Sequence, residues 1–212
     1  MVSSHRQRGY DPDHMMLLKH SFAAGLAFRT HELRDKQVLF AARQKPSQLF
    51  LVSHGCVRLV RPLRHGADAV MQRARAGEWL AESSLFSDRY HCDAVAQGRS
   101  EVISISKRDI LAAFKKDPQR SVAFCELLSK QLRRLRGVHE IVRNRSARER
   151  VLQWLLLEAS GAPPQLRIDQ TWTQVADEIS LTREAVYRAV AELKRNGALK
   201  QRGQTWLIDA NK

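Results

Sequence analysis

Short apolar runs separated by turn residues occupy the chain from about residue 31 to residue 107. The runs read KQVLFAA, SQLFLVSH, CVRLVRPL, AVMQRA and EVISIS. They recur at intervals of roughly 8–12 residues, which is typical of the short strands of a sandwich or barrel. In the third run, Val57 and Leu59 alternate imperfectly with Arg58 and Val60, which indicates that both faces of this strand are partly covered. The pattern predicts a small β-sandwich or barrel.

The apolar period becomes helical from Lys107 onward. Residues 13–25 and the run KRDILAAFKKD predict short helices, and Pro118 then begins a long one, because a proline in the first turn loses no intrahelical hydrogen bond. Apolar residues recur along this helix every seven positions, as in an a/d seam. We predict that the seam pairs with the same helix of a second subunit; a single long core helix in a monomer is the alternative. The predicted dimer interface consists of Leu128, Leu132, Leu135, His139 and Val142.

A new unit begins near residues 144–146. Ser146 can cap a helix that runs to about Glu158, and SGAPP ends that helix. Thr171 and Gln174 then have the spacing of a capping box, so another helix begins there.

Thr182 can cap a further helix, which the Asn-Gly pair at 196–197 ends. The segment ALKQRGQTWLID follows and predicts two short strands about Gly203. The order helix, tight turn, helix, hairpin is that of a winged helix-turn-helix.

Polar side chains cluster in the first two turns of the helix after Thr182. Arg183, Glu184, Tyr187 and Arg188 fall opposite the apolar positions of that helix. An arginine can hold guanine O6 and N7 with two hydrogen bonds, and a glutamate can accept one from cytosine N4. The cluster therefore predicts a surface that reads bases in the major groove. The alternative is an ordinary solvated face with an i,i+4 ion pair between Glu184 and Arg188.

The charge of the chain supports a nucleic-acid partner. Lys and Arg number 36 against 22 Asp and Glu, a net charge of +14, which favours a polyanionic partner. No apolar run approaches the roughly 18 residues that span a bilayer, and the N-terminus has no secretory apolar region. The three cysteines are widely spaced, which favours a reducing, cytoplasmic location. No paired carboxylates, Walker loop, HExxH motif or nucleophile elbow is present, so we predict neither an enzyme nor a catalytic residue.

The segment LTREAVYRAVAELKRNGAL resembles the recognition-helix segment of the Crp/Fnr superfamily of bacterial transcription regulators. The resemblance extends over about residues 17–210. Position by position, it implies that Arg183, Glu184 and Arg188 read the half-site, as in the cyclic-AMP-receptor branch, and that Thr182 contacts a phosphate.

Ser180, just before this segment, and Tyr187 within it depart from the family. Ser180 stands where the family has its turn glycine. Tyr187 stands where the oxygen- and nitric-oxide-responsive branch usually has a serine, so the resemblance favours a TGTGA-like over a TTGAT-like half-site.

The resemblance implies an α+β protein in which a β-roll (a double-stranded β-helix), a long dimerisation helix and a winged helix-turn-helix follow one another. The expected divisions are a flexible N-terminus at 1–16, a sensor β-roll at 17–116, the dimer helix at 117–144 and the winged domain at 145–212. The implied partners are a second copy of the chain, double-stranded DNA with a two-fold symmetric site, and RNA polymerase, with no membrane.

The segment GEWLAESSLFSDRYHCDAVA, Gly77–Ala96, is similar to the phosphate-binding cassette of the family. In that cassette a glutamate binds the ribose, and an arginine and a serine hold the cyclic phosphate. Glu82 and Ala94 fit the pattern, whereas Ala81 replaces the glycine before the glutamate, Cys92 replaces the arginine and Asp93 replaces the serine.

This replacement removes the bidentate partner of a cyclic phosphate and adds a like charge. By alignment, Leu135 and Arg136 replace the family's Thr-Ser pair that touches the adenine. We therefore expect that this pocket does not bind cyclic AMP in the family's manner, although Arg89 or Arg136 can supply another cation for an anion. The effector stays unknown.

Other functions stay open. No cysteine precedes Cys56, which argues against the iron–sulfur cluster of the Fnr branch. Cys92 beside His91 is a candidate for metal, haem or redox sensing, although neighbours in a strand point to opposite faces. Cys56 and Cys125 fit better as small core residues. A ligand-binding or protein-interaction module whose winged domain no longer reads specific DNA is the alternative function.

Overall fold

A computed structural model describes residues 12–19, 21–62, 68–168 and 170–210. The chain divides into two compact units, Met1–Leu128 and Ser129–Lys212. Most of the predicted flexible N-terminus, residues 1–11, lies outside the described residues. Helix α1 (Pro12–Leu18) crosses the predicted division at residue 16 and ends earlier than the predicted helix over 13–25.

Among the described residues, eight strands form the β-rich part of the N-terminal unit. They are β1 (Phe28–Leu33), β2 (Val38–Phe40), β3 (Gln48–His54), β4 (Cys56–Pro62), β5 (Asp68–Arg75), β6 (Trp79–Leu80), β7 (Asp93–Ala96) and β8 (Ser100–Ser106). One sheet has the order β1-β8-β3-β6 and the other has the order β2-β7-β4-β5, with every pairing antiparallel. The chain passes repeatedly from one sheet to the other, which is the arrangement of the predicted β-roll.

An aromatic stack fills the inside of this β-roll. The rings of Phe40 and Tyr90 are 3.9 Å apart between centroids and nearly parallel, and the Phe50 ring stacks on Phe40 at 5.5 Å. The hydroxyl of Tyr90 donates to the Gln48 carbonyl oxygen, so its polar end is satisfied inside the core. The stack is therefore structural packing rather than an open cavity.

Two helices follow the strands. Helix α2 (Lys107–Lys116) begins after Ser106, whose hydroxyl accepts a hydrogen bond from the Asp109 amide. Helix α3 (Pro118–Ile141) begins at the predicted proline. None of the helices in the described segments is long and apolar enough to cross a bilayer.

Helix α3 has one face that its own chain leaves open. Leu132 and Leu135 are exposed at 47% and 60%. Of the other predicted seam residues, His139 is exposed, and Leu128 and Val142 are half-buried. Large apolar side chains exposed at this spacing fit an interhelical seam.

The C-terminal unit contains the end of α3, three further helices and a small sheet. Its elements are α4 (Ala147–Glu158), β9 (Gln165–Arg167), α5 (Trp172–Glu178), α6 (Arg183–Arg195), β10 (Leu199–Arg202) and β11 (Thr205–Ile208). The predicted hairpin is present as β10 and β11, and β9 adds a third strand to it in the order β10-β11-β9. The buried side chains of Trp154, Val175, Val186 and Leu193 form the core.

Arg134 ties the last turns of α3 to this unit. Its guanidinium donates to Glu158 at the end of α4, at 2.9 Å, and to Glu178 at the end of α5. Gly137 lies one turn later, where an added Cβ would approach a methyl group of Leu157 to 2.8 Å. The end of α3 is therefore held by charge and close packing within the C-terminal unit.

Candidate nucleic-acid interface and ligand pocket

Local hydrogen bonds define both helices of the helix-turn-helix. Thr171 and Gln174 form a complete capping box at the start of α5, as predicted. The Thr182 hydroxyl accepts a hydrogen bond from the Ala185 amide at 3.2 Å and so fixes the first turn of α6. Gly197, at a φ of 74°, follows the C-cap of α6. These short-range contacts explain why the sequence folds into two well-defined helices here.

The turn between the two helices keeps its shape without the expected glycine. Ser180 has a φ of 54°, in the left-handed region that costs an L-residue about 1–2 kcal/mol. Arg150 of α4 donates to the carbonyl oxygens of Ile179 and Ser180, at 3.3 and 3.1 Å. This role of Arg150 was not predicted, because nothing in its own helix indicates that it holds a turn about 30 residues away.

Helix α6 separates sharply into a buried and an exposed face. Val186, Ala189, Val190 and Leu193 are buried in the core of the unit. The predicted reading residues all lie on the exposed side. They are Thr182, Arg183, Glu184, Tyr187 and Arg188. The structure therefore brings the predicted set together on one open surface at the start of a capped helix.

The hairpin beside α6 adds further positive charge. Lys200, Gln201 and Arg202 are exposed along β10. Lys194 of α6 lies over the ring of Trp206, 4.6 Å from its centroid, which joins the helix to β11. Exposed basic and amide side chains of this kind can contact DNA phosphates.

The backbone of the predicted ligand cassette also keeps its turn without a glycine. Ala81 has a φ of 66° and directly precedes a short 3-10 turn, Glu82–Ser84. Glu82 is buried, with an exposed fraction of 6%. Lys107 at the start of α2 donates to the Ser87 carbonyl oxygen at 2.9 Å and supports the far side of the segment. Gly77 lies outside this turn, between β5 and β6, at a φ of 87°.

The two replaced residues of the cassette make contacts of their own. One carboxylate oxygen of Asp93 accepts a hydrogen bond from the Ala42 amide at 2.6 Å, and Ala94 is fully buried. Cys92 is half-buried against the core of the β-roll. Burial raises the pKa of the Cys92 thiol; Arg61 opposes this rise, and Asp93 and Glu82 add to it. Cys92 is therefore a neutral thiol at neutral pH, which makes it a weak nucleophile.

The structure places the nearby cations differently from the prediction. Arg61 on β4 reaches the His91 carbonyl oxygen at 3.4 Å and acts on Cys92, whereas the predicted Arg89 lies at the surface beside Asp88. Arg61 was missed because its closeness to Cys92 comes from the pairing of β4 with β7.

Leu135 and Arg136 are exposed and belong to the C-terminal unit. Their participation in one pocket with the cassette therefore stays a prediction. The His91 ring faces the Ser87 hydroxyl at 3.2 Å, and the described residues contain no group of three or more potential metal ligands.

Comparisons with known proteins agree with this two-part description. A family model for the cyclic nucleotide-binding domain matches residues 30–117. A second model, for the Crp-like helix-turn-helix domain, matches residues 149–212. The first match includes the β-roll, except the first two residues of β1, and α2. The second match begins at the third residue of α4 and continues to the end of the chain.

Characterised relatives match most of the chain. The nitrogen fixation regulation protein FixK of Bradyrhizobium diazoefficiens is 26% identical over 169 residues, which cover 77% of this chain and 70% of the relative. A cyclic AMP receptor protein of Thermus thermophilus is 28% identical over 154 residues, covering 72% and 70%. The structure of FixK2 from Bradyrhizobium japonicum has the same fold, with a TM-score of 0.68 and 20% identity over 86% of this chain and 93% of that one.

Proposed function

The chain belongs to the Crp/Fnr superfamily of transcription regulators, and on that premise we propose that it acts as a homodimer that reads a two-fold symmetric site in double-stranded DNA. The observation that carries the proposal is the exposed side-chain set at the start of α6. It stands opposite the buried face of the helix, on a first turn that Thr182 fixes.

The chemistry of this set suits base reading. The Arg183 and Arg188 guanidinium groups can each hold a guanine edge with two hydrogen bonds, and the Glu184 carboxylate can accept from cytosine N4. Thr182 and the basic residues of β10 suit phosphate oxygens, which set the register of the protein on the duplex. The excess of 14 positive charges adds a sequence-independent attraction that weakens as salt rises.

The open face of α3 supports the dimer. Two copies that pair along Leu132 and Leu135 would remove these exposed side chains from water. A two-fold axis along the helices would present two α6 surfaces to successive major grooves, about 34 Å apart.

We propose that the β-roll does not respond to cyclic AMP in the way of the family, even though one relative is named a cyclic AMP receptor protein. The residues do not fit a cyclic phosphate. At the two phosphate positions this chain has a neutral thiol, Cys92, and a carboxylate, Asp93, whose oxygen already accepts from Ala42. Burying the phosphate there would bring two negative charges together with no cation in either position.

RNA polymerase is the proposed protein partner, and the cytoplasm is the proposed compartment, because a regulator of this family acts where the chromosome is transcribed. The exposed start of α6, with no catalytic constellation in the sequence, supports a binding function rather than an enzymatic one.

Selection of bound duplexes from a random library, with the full-length protein at physiological ionic strength, tests the proposal. We expect enrichment of a palindrome whose half-sites are centred about one helical turn apart. Light scattering on the same sample should give the mass of a dimer. Equal recovery of all sequences, or the mass of a single chain, would refute the proposal.

A further inference from the structure

Arg183 and Tyr187 form a pair on the exposed face of α6. They are one helical turn apart, a spacing at which side chains meet on a helix surface. The Arg183 guanidinium carbon lies 5.3 Å from the centroid of the Tyr187 ring. That distance is within the range of an energetically useful cation–π contact.

Tyr187 makes no contribution to the core that would explain an aromatic residue at this position. It is 44% exposed, and the core side of α6 is made by Val186, Ala189 and Val190 instead. Tyr90 shows the contrast, since its ring is 4% exposed within an aromatic stack and its hydroxyl is bonded to a backbone carbonyl. The ring of Tyr187 is therefore available to act on its surface neighbours.

We propose that Tyr187 is a positioning residue, which holds the Arg183 guanidinium ready to read a base. The proposal rests on the DNA-reading function proposed above, and it assigns the specificity of that surface to a pair of residues rather than to Arg183 alone.

Two physical reasons favour this role. A free arginine at a helix end samples many rotamers and loses that freedom when it binds, and the ring removes part of the loss in advance. An aromatic ring also engages the face of a guanidinium, whereas the N–H donors lie in its plane and stay free for guanine O6 and N7. The Thr182 cap fixes the backbone of the first turn, which contains Arg183, and the Tyr187 ring contacts the Arg183 side chain. Backbone and side chain of Arg183 are therefore both constrained.

The test begins with a duplex selected by the wild-type protein and with Arg183→Ala, which identifies the base pair whose discrimination depends on Arg183. Tyr187→Leu keeps the size and helix propensity of the residue but removes the ring. We expect it to lower discrimination at that same base pair by about two- to fivefold per half-site and to leave the other base pairs unchanged. Tyr187→Phe keeps the ring and should match the wild type.

A double variant separates positioning from a direct contact. If Tyr187 acts through Arg183, adding Tyr187→Leu to Arg183→Ala should cause no further loss at that base pair. The inference is overturned if Tyr187→Leu relaxes a different base pair or none, if Tyr187→Phe behaves like Tyr187→Leu, or if the two losses add.

A wild-type protein that selects no sequence, or an Arg183→Ala variant that relaxes no base pair, overturns the inference as well. Only the first of these two results also refutes the proposed function, so the two failures are distinguishable. Thermal melting of each variant checks that α6 is intact.

Discussion

The cassette of the β-roll and the turn of the helix-turn-helix each contain a non-glycine residue in the left-handed backbone conformation. The two segments differ in the side chains that follow it. Ala81 and Ser180 both stand where the family has a glycine, and both adopt the left-handed conformation, at φ values of 66° and 54°. The fold therefore holds two strained turns in place. Each turn directly precedes the residues that carry the chemistry of its unit.

The chemistry beyond the two turns is different. After Ser180, the chain presents the arginines and the glutamate that suit base edges. After Ala81, the chain keeps a glutamate where the family binds the ribose, but it has a half-buried thiol and a carboxylate engaged with a backbone amide at the two phosphate positions. The same backbone turn can therefore carry different side-chain chemistry, and a matching fold does not establish a ligand.

The largest effect should come from emptying the aromatic stack behind the cassette. Tyr90→Ala removes a 4%-exposed ring that stacks on Phe40, so we expect it to lower the free energy of unfolding by about 3–5 kcal/mol. Tyr90→Phe loses only the hydrogen bond to Gln48 and should cost about 1 kcal/mol. Urea denaturation followed by circular dichroism measures both. A loss below about 1 kcal/mol for Tyr90→Ala would mean that the ring borders a cavity and not a packed core.

On the other side of the comparison, Arg183→Ala should lower discrimination at one base pair by about 1–3 kcal/mol, because the bidentate contact with guanine is lost. Arg202→Ala, on the exposed strand β10, is the matched control. It should weaken binding to all sequences equally and reduce the salt dependence by about one unit of slope. Binding titrations with point-changed duplexes separate the two cases. A uniform loss for Arg183→Ala would remove its base-reading role.

Replacing Ala81 and Ser180 with the family's glycine tests whether the two turns are strained. Ser180→Gly relieves left-handed strain but adds flexibility to the unfolded chain, so we expect it to raise the free energy of unfolding by about 0.5–1 kcal/mol. Ala81→Gly relieves the same strain but also removes a buried methyl group, so we expect a smaller change. Ala112→Gly in the exposed part of α2 has no strain to relieve and should lower the free energy of unfolding by about 0.5–1 kcal/mol. If both turn substitutions destabilise the protein as the control does, the turns are not strained.

The smallest effect concerns the thiols. Burial raises the pKa of Cys92 and of Cys56 above the ordinary value of 9.0, whereas Cys125 is exposed. Near neutral pH, iodoacetamide should therefore modify Cys92 at least roughly tenfold more slowly in the native protein than in the denatured protein. Peptide mass spectrometry of timed samples measures the rates. Preferential labelling of native Cys92 would instead favour redox sensing at that position.

The raised pKa values also set the sign of a pH effect on stability. A thiol that is harder to ionise in the folded state than in the unfolded state leaves the free energy of unfolding at its full value below the ordinary pKa of 9.0. As the pH rises through the raised pKa of the folded state, this part of the stability is lost. Stability should therefore be insensitive to these thiols at neutral pH and should decrease in alkaline solution.

Local signals in the sequence were sufficient for the first residues of four later helices. The side chains of Ser146, Thr171 and Thr182 each accept a hydrogen bond from the amide three residues ahead. Pro118 begins α3, and its ring favours the first turn of a helix. All four signals lie within a few residues of the helix start, so they can be recognised without the rest of the fold. Features that depend on distant pairing were missed. The third strand, β9, has only three residues, and its pairing with β11 brings together segments about 40 residues apart in the chain.

The same distinction applies to the site residues. The exposed set on α6 follows from helical periodicity, which a sequence displays directly. Arg61, Lys107 and Arg150 act on backbone carbonyls contributed by other elements, and no spacing in the sequence indicates those partners. The replacement of the phosphate-binding pair by Cys92 and Asp93 was visible in the sequence, but the hydrogen bond that Asp93 accepts from Ala42 joins residues 51 positions apart.

One titration tests both halves of the comparison at once. The wild-type protein is titrated onto its selected palindrome and onto a shuffled duplex, each with and without saturating cyclic AMP. We predict tight binding to the palindrome, at least about a thousandfold weaker binding to the shuffled duplex, and no change on adding the nucleotide. Binding that becomes sequence-specific only when cyclic AMP is present would contradict the loss of ligand chemistry in the cassette, and equal affinity for both duplexes would contradict the reading role of α6.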